Sequence, residues 1–375
     1  MGRYLPGYKD GGPVRSIKNL TDFLGEDYFF KILTCDRDHG DRDTYSKIKV
    51  REWNQVGKTK VYYVPPRSFN MSTIFKLAKE VDMIYLCGCF TEYTINTLIL
   101  KRLNIIKIPV VIASMGLFSP MEFQLKFKKK KLFTTVFNLM GMFKKVYWSA
   151  TSELEISEIK QRIPVKDNYF IAEDLPRKVR KQQIIKEKEV GKLRVAWISR
   201  IALKKNLKGA IEILNTVKCK VEFTIYGPKH NLDYWKECEE ELKKLQPNIT
   251  WVWAGNVESD NVIKTLMKHH VFLFPTFGEN YGHVIQEALS AGCAVILSDQ
   301  TPWKDLEVAG VGYNFNVFDH SSFASAIEKY AALDSKEFQK LVARALEYAI
   351  ENSNDKVNNT GYRKVFNSLA KGGGI

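Results

Sequence analysis

The stretch that decides the fold is residues 271–298, VFLFPTFGENYGHVIQEALSAGCAVILS. Apolar runs at its two ends predict buried strands, and the spacing over 283–291 predicts a helix between them. Glu279 then lies in the loop at a strand's carboxyl end, and Glu287 lies two turns into the helix. In an open α/β sheet this edge binds ligands, and the helix N-terminus offers N–H groups to an anion. We therefore expect an anionic ligand such as a sugar diphosphate here.

Taken alone, the two glutamates have a simpler interpretation. Glu279 would favour the helix dipole and Glu287 would lie on a solvated helix face. Other stretches of the chain decide between the two interpretations.

Residues 278–303, GENYGHVIQEALSAGCAVILSDQTPW, resemble the E-x7-E signature of the family 4 retaining glycosyltransferases. Four further stretches agree in order along the chain: LPGYKDGGPVRSI near the start, then WISRIALKKN, FTIYGP and WAGNV. The resemblance covers nearly the whole chain. It implies the GT-B fold, an α/β architecture of two Rossmann-like domains facing a central cleft.

The resemblance also implies a role for each matching residue. Arg200 and Lys205 hold the donor diphosphate, Glu279 orients the donor sugar, and Glu287 binds the ribose hydroxyls. Arg200, Lys205 and Glu279 are thus the expected catalytic residues. Further donor contacts are expected at seven residues and a phosphate or acceptor loop at two glycines: Asn280, Tyr281, Gly282, His283, Gly227, Asn256 and Val257, with Gly11 and Gly12 in the loop.

The chemistry expected of this site needs no metal and no cofactor besides the substrate, a UDP- or GDP-linked sugar. Cationic side chains that bind the diphosphate stabilise it more strongly as negative charge develops on it during bond breaking. The family often places a polar contact near the strand end at 114–116, but Ser114, Met115 and Gly116 offer only a hydroxyl and backbone. General acid and base catalysis is then expected from the donor phosphate itself or from an unidentified group. Asn206 stands where a glycine often follows the lysine.

The domain organisation follows from apolar strands that alternate with amphipathic runs, which indicates parallel sheets. The pattern predicts a first domain over 1–180 and a second over 193–350, joined by a charged linker at 174–192. By resemblance, the segment 351–375, with a helix near 355–369, crosses back onto the first domain. A Rossmann-like domain ordinarily opens with a strand, whereas the glycine loop here begins about ten residues from Met1, so we expect that strand to be missing.

Charge is concentrated in the first half of the chain. Residues 1–190 carry 34 Lys and Arg against 21 Asp and Glu, out of 57 and 42 in all 375 residues. Segment 125–145, LKFKKKKLFTTVFNLMGMFKK, has seven lysines and no acid. Interleaved Phe, Leu and Met make it a basic amphipathic segment that can lie on an anionic membrane surface, where Lys128 to Lys131 are expected to contribute to binding. A solvated lysine face and nucleic acid are the alternatives, but no nucleic-acid motif accompanies the segment.

Composition excludes several classes of protein. No apolar run reaches about 18 residues and the start MGRYLPGYKDGG lacks an apolar signal core, so we expect a cytoplasmic protein. The resemblance implies a peripheral location at the inner membrane face, because the family often works on lipid-linked acceptors there. The six cysteines show no zinc spacing, so metal sites and disulfides are not expected. Ser152 and Glu155 predict a capping box, and His269 and His270 end a predicted helix, where cations suit the dipole.

Three functions remain open at this point. A retaining glycosyltransferase acting on a glycan or lipid-linked glycan in cell-surface polysaccharide or glycolipid synthesis is favoured. A nucleotide-sugar epimerase or hydrolase of the same fold is the second, and a non-catalytic membrane-associated scaffold the third. A glycosidase is disfavoured because it needs two acids flanking one bond, whereas one of these glutamates is expected at the ribose.

Overall fold

The computed structural model describes residues 1–124, 126–179, 181–358 and 360–370. The chain divides into two compact units, Met1–Leu175 with Lys356–Ile375 and Pro176–Asp355. The first division therefore falls inside the segment 174–192 that the sequence suggests as a linker. Among the described residues, no helix is both long enough and apolar enough to cross a membrane.

The first unit contains two sheets. A three-stranded sheet has the order β1-β3-β2, and a four-stranded, all-parallel sheet has the order β4-β5-β6-β7. The elements that precede the second unit are β1 (Lys31–Cys35), β2 (Trp53–Val56), β3 (Thr59–Val64), β4 (Ile84–Cys87), β5 (Val110–Ala113), β6 (Tyr147–Ala150), β7 (Tyr169–Ile171), α1 (Gly12–Leu24), α2 (Met71–Ala78), α3 (Glu92–Arg102), α4 (Pro120–Gln124), α5 (Phe127–Leu139) and α6 (Glu153–Lys160).

The strand β2 is not predicted from the apolar pattern. It pairs antiparallel with β3 across the tight turn at Gly57, whose φ of 57° favours glycine. Its sequence, WNQV, has no apolar run because no residue of β2 is buried. The sequence signal that could have predicted this hairpin is the glycine turn between two short segments of alternating residues.

Helices cover both faces of these sheets. Val14, Ile17, Leu20 and Leu24 recur at helical spacing on α1 and are all buried on one face. The other face is covered by α2, α3 and α6. The strand β5 is buried along its whole length, as expected for a parallel strand with helices on both sides.

No strand precedes α1 in the described part of the chain. The first residues nevertheless lie beside β1: the amino group of Met1 donates to the carbonyl of Leu33 at 3.0 Å, and the N–H of Cys35 donates to the carbonyl of Gly2 at 3.2 Å. Two residues thus occupy the place where the first strand of a Rossmann-like sheet ends.

The second unit has a single six-stranded sheet of order β10-β9-β8-β11-β12-β13, in which all neighbours are parallel. The chain moves outward from β8 to β10 and returns beside β8 with β11, so the connection reverses between β8 and β11. The elements are β8 (Lys192–Ile198), β9 (Lys220–Tyr226), β10 (Ile249–Trp253), β11 (Val271–Phe274), β12 (Ala294–Ser298), β13 (Gly312–Phe315), α7 (Leu207–Leu214), α8 (Leu232–Leu242), α9 (Val262–Leu266), α10 (His283–Ser290), α11 (His320–Ala332) and α12 (Ser335–Asn358), with 3₁₀ turns at Leu203–Lys205 and Ser259–Asn261. The edge strand β13, GYNF, was not predicted because only Gly312 is buried in it.

The chain ends in two helices where one was predicted. The helix α12 reaches Asn358, and α13 (Gly361–Ala370) follows and belongs to the first unit. A Cβ at Gly361 would lie 2.0 Å from the carbonyl oxygen of Ile171, so the chain passes too close to β7 for another residue. Tyr362 and Phe366 of α13 are buried in the first unit. Residues 371–375 lie outside the described part.

The interpretation of His269 and His270 as cations at a helix end is wrong. Both side chains are buried, and burial lowers the pKa of His269 to about 4 and that of His270 to about 3. The ring of His270 accepts from the N–H of Arg194 at 3.0 Å and its other nitrogen lies 2.8 Å from the carbonyl of Glu187. Both histidines are therefore neutral parts of the core.

Candidate active site

An ion pair lies where the connection of the second sheet reverses. Lys205 ends the 3₁₀ turn after β8, Glu279 lies in the loop after β11, and their side chains form a salt bridge that is 15% and 14% exposed. Ligands in open α/β sheets bind at this point because the two loops separate there. Two side chains 74 residues apart are thus brought together at the edge predicted to bind a ligand.

Hydrogen bonds hold the loop after β8 against the loop after β11. Asn206 has a left-handed backbone, with φ of 52° and ψ of 50°, and its amide donates to the carbonyl of Pro275 at 2.8 Å. The N–H of Phe277 donates to the carbonyl of Lys204 at 2.9 Å. Asparagine is the residue after glycine that best tolerates this conformation, which explains why it replaces the family's glycine. The ion pair therefore sits on a framework that is already ordered.

Arg200 follows β8 on the same edge of the sheet. Its side chain is exposed, and its guanidinium has no hydrogen-bond or ion-pair partner among the described residues. Lys205, by contrast, is held by Glu279. Of the two side chains predicted to hold the diphosphate, Arg200 is thus available to an anion. Lys205 would bind the anion while it is also paired with the carboxylate of Glu279.

The helix α10 begins at this edge with no side-chain cap. Its N-cap is Gly282, with φ of 77°, and a Cβ there would lie 2.7 Å from Ile285. An N-terminus without a capping side chain keeps its partial positive charge for an external anion. His283 opens the helix and is buried, with its ring 4.9 Å from that of Tyr281.

Glu287 lies on the buried face of α10. It is 3% exposed, so the solvated-face interpretation is wrong for this residue. The loop ahead of the helix is held from the other side, because the indole of Trp303 donates to the carbonyl of Tyr281 at 2.6 Å. Asn280 lies in this loop and is half-buried.

The glycine after β9 marks a close contact between strand ends. A Cβ on Gly227 would lie 1.8 Å from the carbonyl oxygen of Ser199, and its φ of 129° is one that other residues rarely adopt. The N–H of Gly227 donates to the carbonyl of Gly255 after β10 at 2.8 Å. Asn256, which follows, is exposed, and Val257 packs partly against the core. The ends of β8, β9 and β10 therefore meet at this glycine.

Sequence reasoning missed a cation between two aromatic rings beside Gly227. The amino group of Lys229 lies 4.2 Å from the ring of Trp235 and 3.9 Å from that of Trp253. The indole of Trp253 donates to the carbonyl of Gly227 at 3.0 Å. Lys229 and Trp235 are close in sequence, but Trp253 belongs to β10, so no local pattern indicates the whole cluster.

The other missed feature is a buried carboxylate in the first unit. Ser152 caps α6 as predicted, since its hydroxyl accepts from the N–H of Glu155 at 3.2 Å. The carboxylate of Glu155 accepts from the N–H of Gly116 and of Thr151, both at 2.7 Å, and from the hydroxyl of Ser114. Instead of completing a capping box, Glu155 holds the strand-end loop 114–116.

Gly11 and Gly12 begin α1 in the first unit. Gly11 is the N-cap, with φ of 64° and ψ of −113°, and a Cβ on either glycine would meet nothing within 4 Å. The backbone approach to this turn is therefore open, as a loop that contacts a phosphate or an acceptor requires. No cluster of three or more His, Cys, Asp or Glu side chains in the described part of the chain could hold a metal ion.

Comparison with known proteins gives one family match, which covers the second unit. Residues 179–352 match the family model for glycosyl transferases group 1. No curated protein sequence matches the chain closely enough to be called a relative.

Several solved structures share the fold of the whole chain. WaaG, a glycosyltransferase involved in lipopolysaccharide biosynthesis, superimposes with a TM-score of 0.64 at 14% identity, over 100% of this chain and 99% of WaaG. The Anabaena protein HepE, in complex with UDP and glucose, gives 0.64 at 13% identity over 98% and 99%. A glycosyltransferase from Rickettsia africae gives 0.64 at 14% identity over 99% and 98%. The chain therefore has the GT-B fold, and residues 179–352 match the model of the glycosyl transferases group 1, which is consistent with the resemblance to family 4.

Proposed function

We propose that this glycosyltransferase moves a sugar, with retention of anomeric configuration and without a metal, from a nucleotide diphosphate to a hydroxyl of a glycan or lipid-linked glycan. The observation that carries the proposal is the Lys205–Glu279 ion pair at the reversal point of the second sheet, beside the exposed Arg200 and the uncapped start of α10. The likeness to HepE, which binds UDP and glucose, favours a UDP-linked donor.

The proposed chemistry assigns complementary tasks to the charges at this edge. The leaving diphosphate lies at the α10 N-terminus and is neutralised by Arg200 and Lys205, which stabilise the charge that develops on the breaking bond. Glu279 then exchanges part of its contact with Lys205 for the hydroxyls of the donor sugar. Glu287 binds the ribose from the buried face of α10.

No side chain is assigned as the general base. The hydroxyl of Ser114 already donates to Glu155, so its proton is committed within the first unit. The proposal therefore leaves the proton of the acceptor hydroxyl to a donor-phosphate oxygen.

The test of this function combines binding with product stereochemistry. A thermal-shift panel of UDP- and GDP-sugars should raise the melting temperature only for the true donor, because that ligand binds the native state. Proton couplings at the anomeric centre of the product should then show retention. Inversion would contradict the mechanism, free sugar released without acceptor would indicate a hydrolase, and a panel without any shift would indicate a scaffold.

Replacement of Arg200 should weaken nucleotide binding. A hydrogen bond to a charged group is worth about 1.5–3 kcal/mol, so Arg200→Ala should lose at least about tenfold in affinity for UDP or GDP. Isothermal titration calorimetry measures the affinity, with Lys236→Ala as the control because Lys236 is exposed on α8. Unchanged affinity in Arg200→Ala would remove Arg200 from the site.

A membrane surface is the proposed location of the acceptor, and the observation that supports it is an exposed stripe on α5. Lys129, Leu132, Val136 and Leu139 follow one another at helical spacing, and the two leucines are 66% and 84% exposed. Apolar side chains beside lysines suit the headgroup region of an anionic bilayer. WaaG's role in lipopolysaccharide biosynthesis is consistent with a lipid-linked acceptor. Leu125 of the predicted segment lies outside the described residues.

One lysine of this segment does not belong to the exposed face. The amino group of Lys130 lies 5.4 Å from the ring of Phe90 and 5.9 Å from that of Phe123, and burial lowers its pKa. Lys130 therefore differs from the exposed Lys128, Lys129 and Lys131, because a helix turns successive side chains to different sides.

Charge reversal on α5 should abolish binding to anionic vesicles. Each lysine near an anionic surface contributes about 1 kcal/mol, so Lys128, Lys129 and Lys131 changed to Glu should release the protein from them. Co-sedimentation should rise with anionic lipid and fall as salt shortens screening below about 10 Å, while activity on a soluble acceptor persists. A matched reversal of Lys236, Lys243 and Lys244 should leave binding intact. Vesicle binding that survives the α5 reversal would show that this stripe is only a solvated face.

A further inference from the structure

A positive charge without a carboxylate partner lies at the carboxyl ends of β9 and β10. The half-buried Lys229 places its amino group over the rings of Trp235 and Trp253, at 4.2 and 3.9 Å. In the part of the chain that the structure describes, this amino group forms no hydrogen bond and no ion pair. An ammonium group has three N–H donors and no acceptor, so Lys229 can donate to an acceptor atom of a ligand.

The position of this charge is fixed by Trp253. The indole N–H of Trp253 donates to the carbonyl of Gly227 at 3.0 Å, which holds the ring at the corner where β8, β9 and β10 end. A Cβ on Gly227 would lie 1.8 Å from the carbonyl oxygen of Ser199 and 3.5 Å from the backbone nitrogen of Arg200. Lys229 therefore lies one strand outward from Arg200, on the same edge of the sheet.

A nucleotide bound at this edge directs its nucleoside toward Lys229. In a doubly wound sheet the phosphates lie at the loop after the first strand, and the nucleoside extends over the end of the second. In the second unit these strands are β8, which precedes Arg200, and β9, which precedes Lys229. The sugar end of the donor lies on the opposite side, because Glu279 follows β11.

We propose that Lys229 donates a hydrogen bond to a keto oxygen of the nucleobase and so selects uracil or guanine over cytosine or adenine. This inference rests on the proposed function. Uracil and guanine carry a keto oxygen, an acceptor, at the ring position where cytosine and adenine carry an amino group, a donor. An ammonium group can pair with the oxygen but not with the amino group, and a site built for one hydrogen bond rejects an analogue that cannot form it.

The test compares UDP with CDP and GDP with ADP by isothermal titration calorimetry. Each pair keeps the ring system and the diphosphate but exchanges the keto oxygen for an amino group. In the pair that the site accepts, the keto nucleotide should bind at least about tenfold more tightly, because the amino nucleotide loses a hydrogen bond to a charged group.

Two variants assign this preference to Lys229. Lys229→Met keeps an apolar chain against the tryptophans and should lower the affinity for the keto nucleotide to that for the amino nucleotide. Lys229→Arg keeps both the charge and the donors, so it should retain the preference. Lys236→Met is the matched control, because Lys236 is exposed on α8 and should leave all four affinities unchanged.

Four results would overturn the proposal. Equal affinities of the unmodified protein within both pairs would show that Lys229 does not select the base, and the proposed function would stand. Loss of affinity for all four nucleotides by one factor in Lys229→Met would make Lys229 a diphosphate ligand. A preference that survives in Lys229→Met would belong to another group. Binding of none of the four nucleotides would contradict the proposed function as well. The comparison on the unmodified protein does not depend on whether a variant folds.

Discussion

Glu279→Gln should lower turnover about 100-fold while nucleotide affinity stays the same or rises, since the variant loses an interaction that matters during transfer. The structure explains the sign of the binding effect. In the protein without ligand, the Glu279 carboxylate pairs with Lys205, and both side chains are largely buried. A neutral glutamine releases Lys205 toward the diphosphate, so one change should separate binding from catalysis.

Calorimetry with UDP or GDP and steady-state kinetics with the donor found by the thermal-shift panel measure the two effects. Glu237→Gln is the matched control, because Glu237 is an exposed carboxylate of α8. Glu287→Gln should behave in the opposite way and weaken the free nucleotide, provided that its melting temperature shows a folded protein. An equal loss of nucleotide affinity in the Glu279 and Glu287 variants would contradict this division of roles.

Gly227→Ala should destabilise the second unit by about 4 kcal/mol or more, which lowers its melting temperature by roughly 10 °C. The added Cβ would lie 1.8 Å from the carbonyl oxygen of Ser199, a backbone atom that cannot move without separating the ends of β8 and β9. Differential scanning calorimetry measures the shift.

The control for this change is Gly255→Ala. Gly255 also has a positive φ, of 77°, but a Cβ there would meet nothing within 4 Å. Its substitution should therefore cost only the backbone strain, about 1–2 kcal/mol. If both variants melt at the same temperature, steric contact with Ser199 is not what requires glycine at position 227.

The elements near the site could be predicted from local patterns. The run VFLFP is continuously apolar because β11 is buried on both faces, and the spacing of HVIQEALS is helical because α10 buries one face. These patterns depend only on neighbouring residues, so the sequence indicates them directly. The strands β2 and β13 were not predicted from the sequence because neither is buried along its length and neither has an apolar run.

By itself, the amino-acid sequence determined the alternation of strands and helices, the two-domain plan, and the identity of the charged residues at strand ends. Only the tertiary structure decided which of those residues meet. Lys205 pairs with Glu279, Glu155 turns to Ser114 and Gly116, and Lys130 packs on aromatic rings rather than facing solvent. The physical reason is that strand and helix periodicity is a local property, whereas salt bridges, burial and close backbone contacts depend on which distant segments the sheet order places side by side.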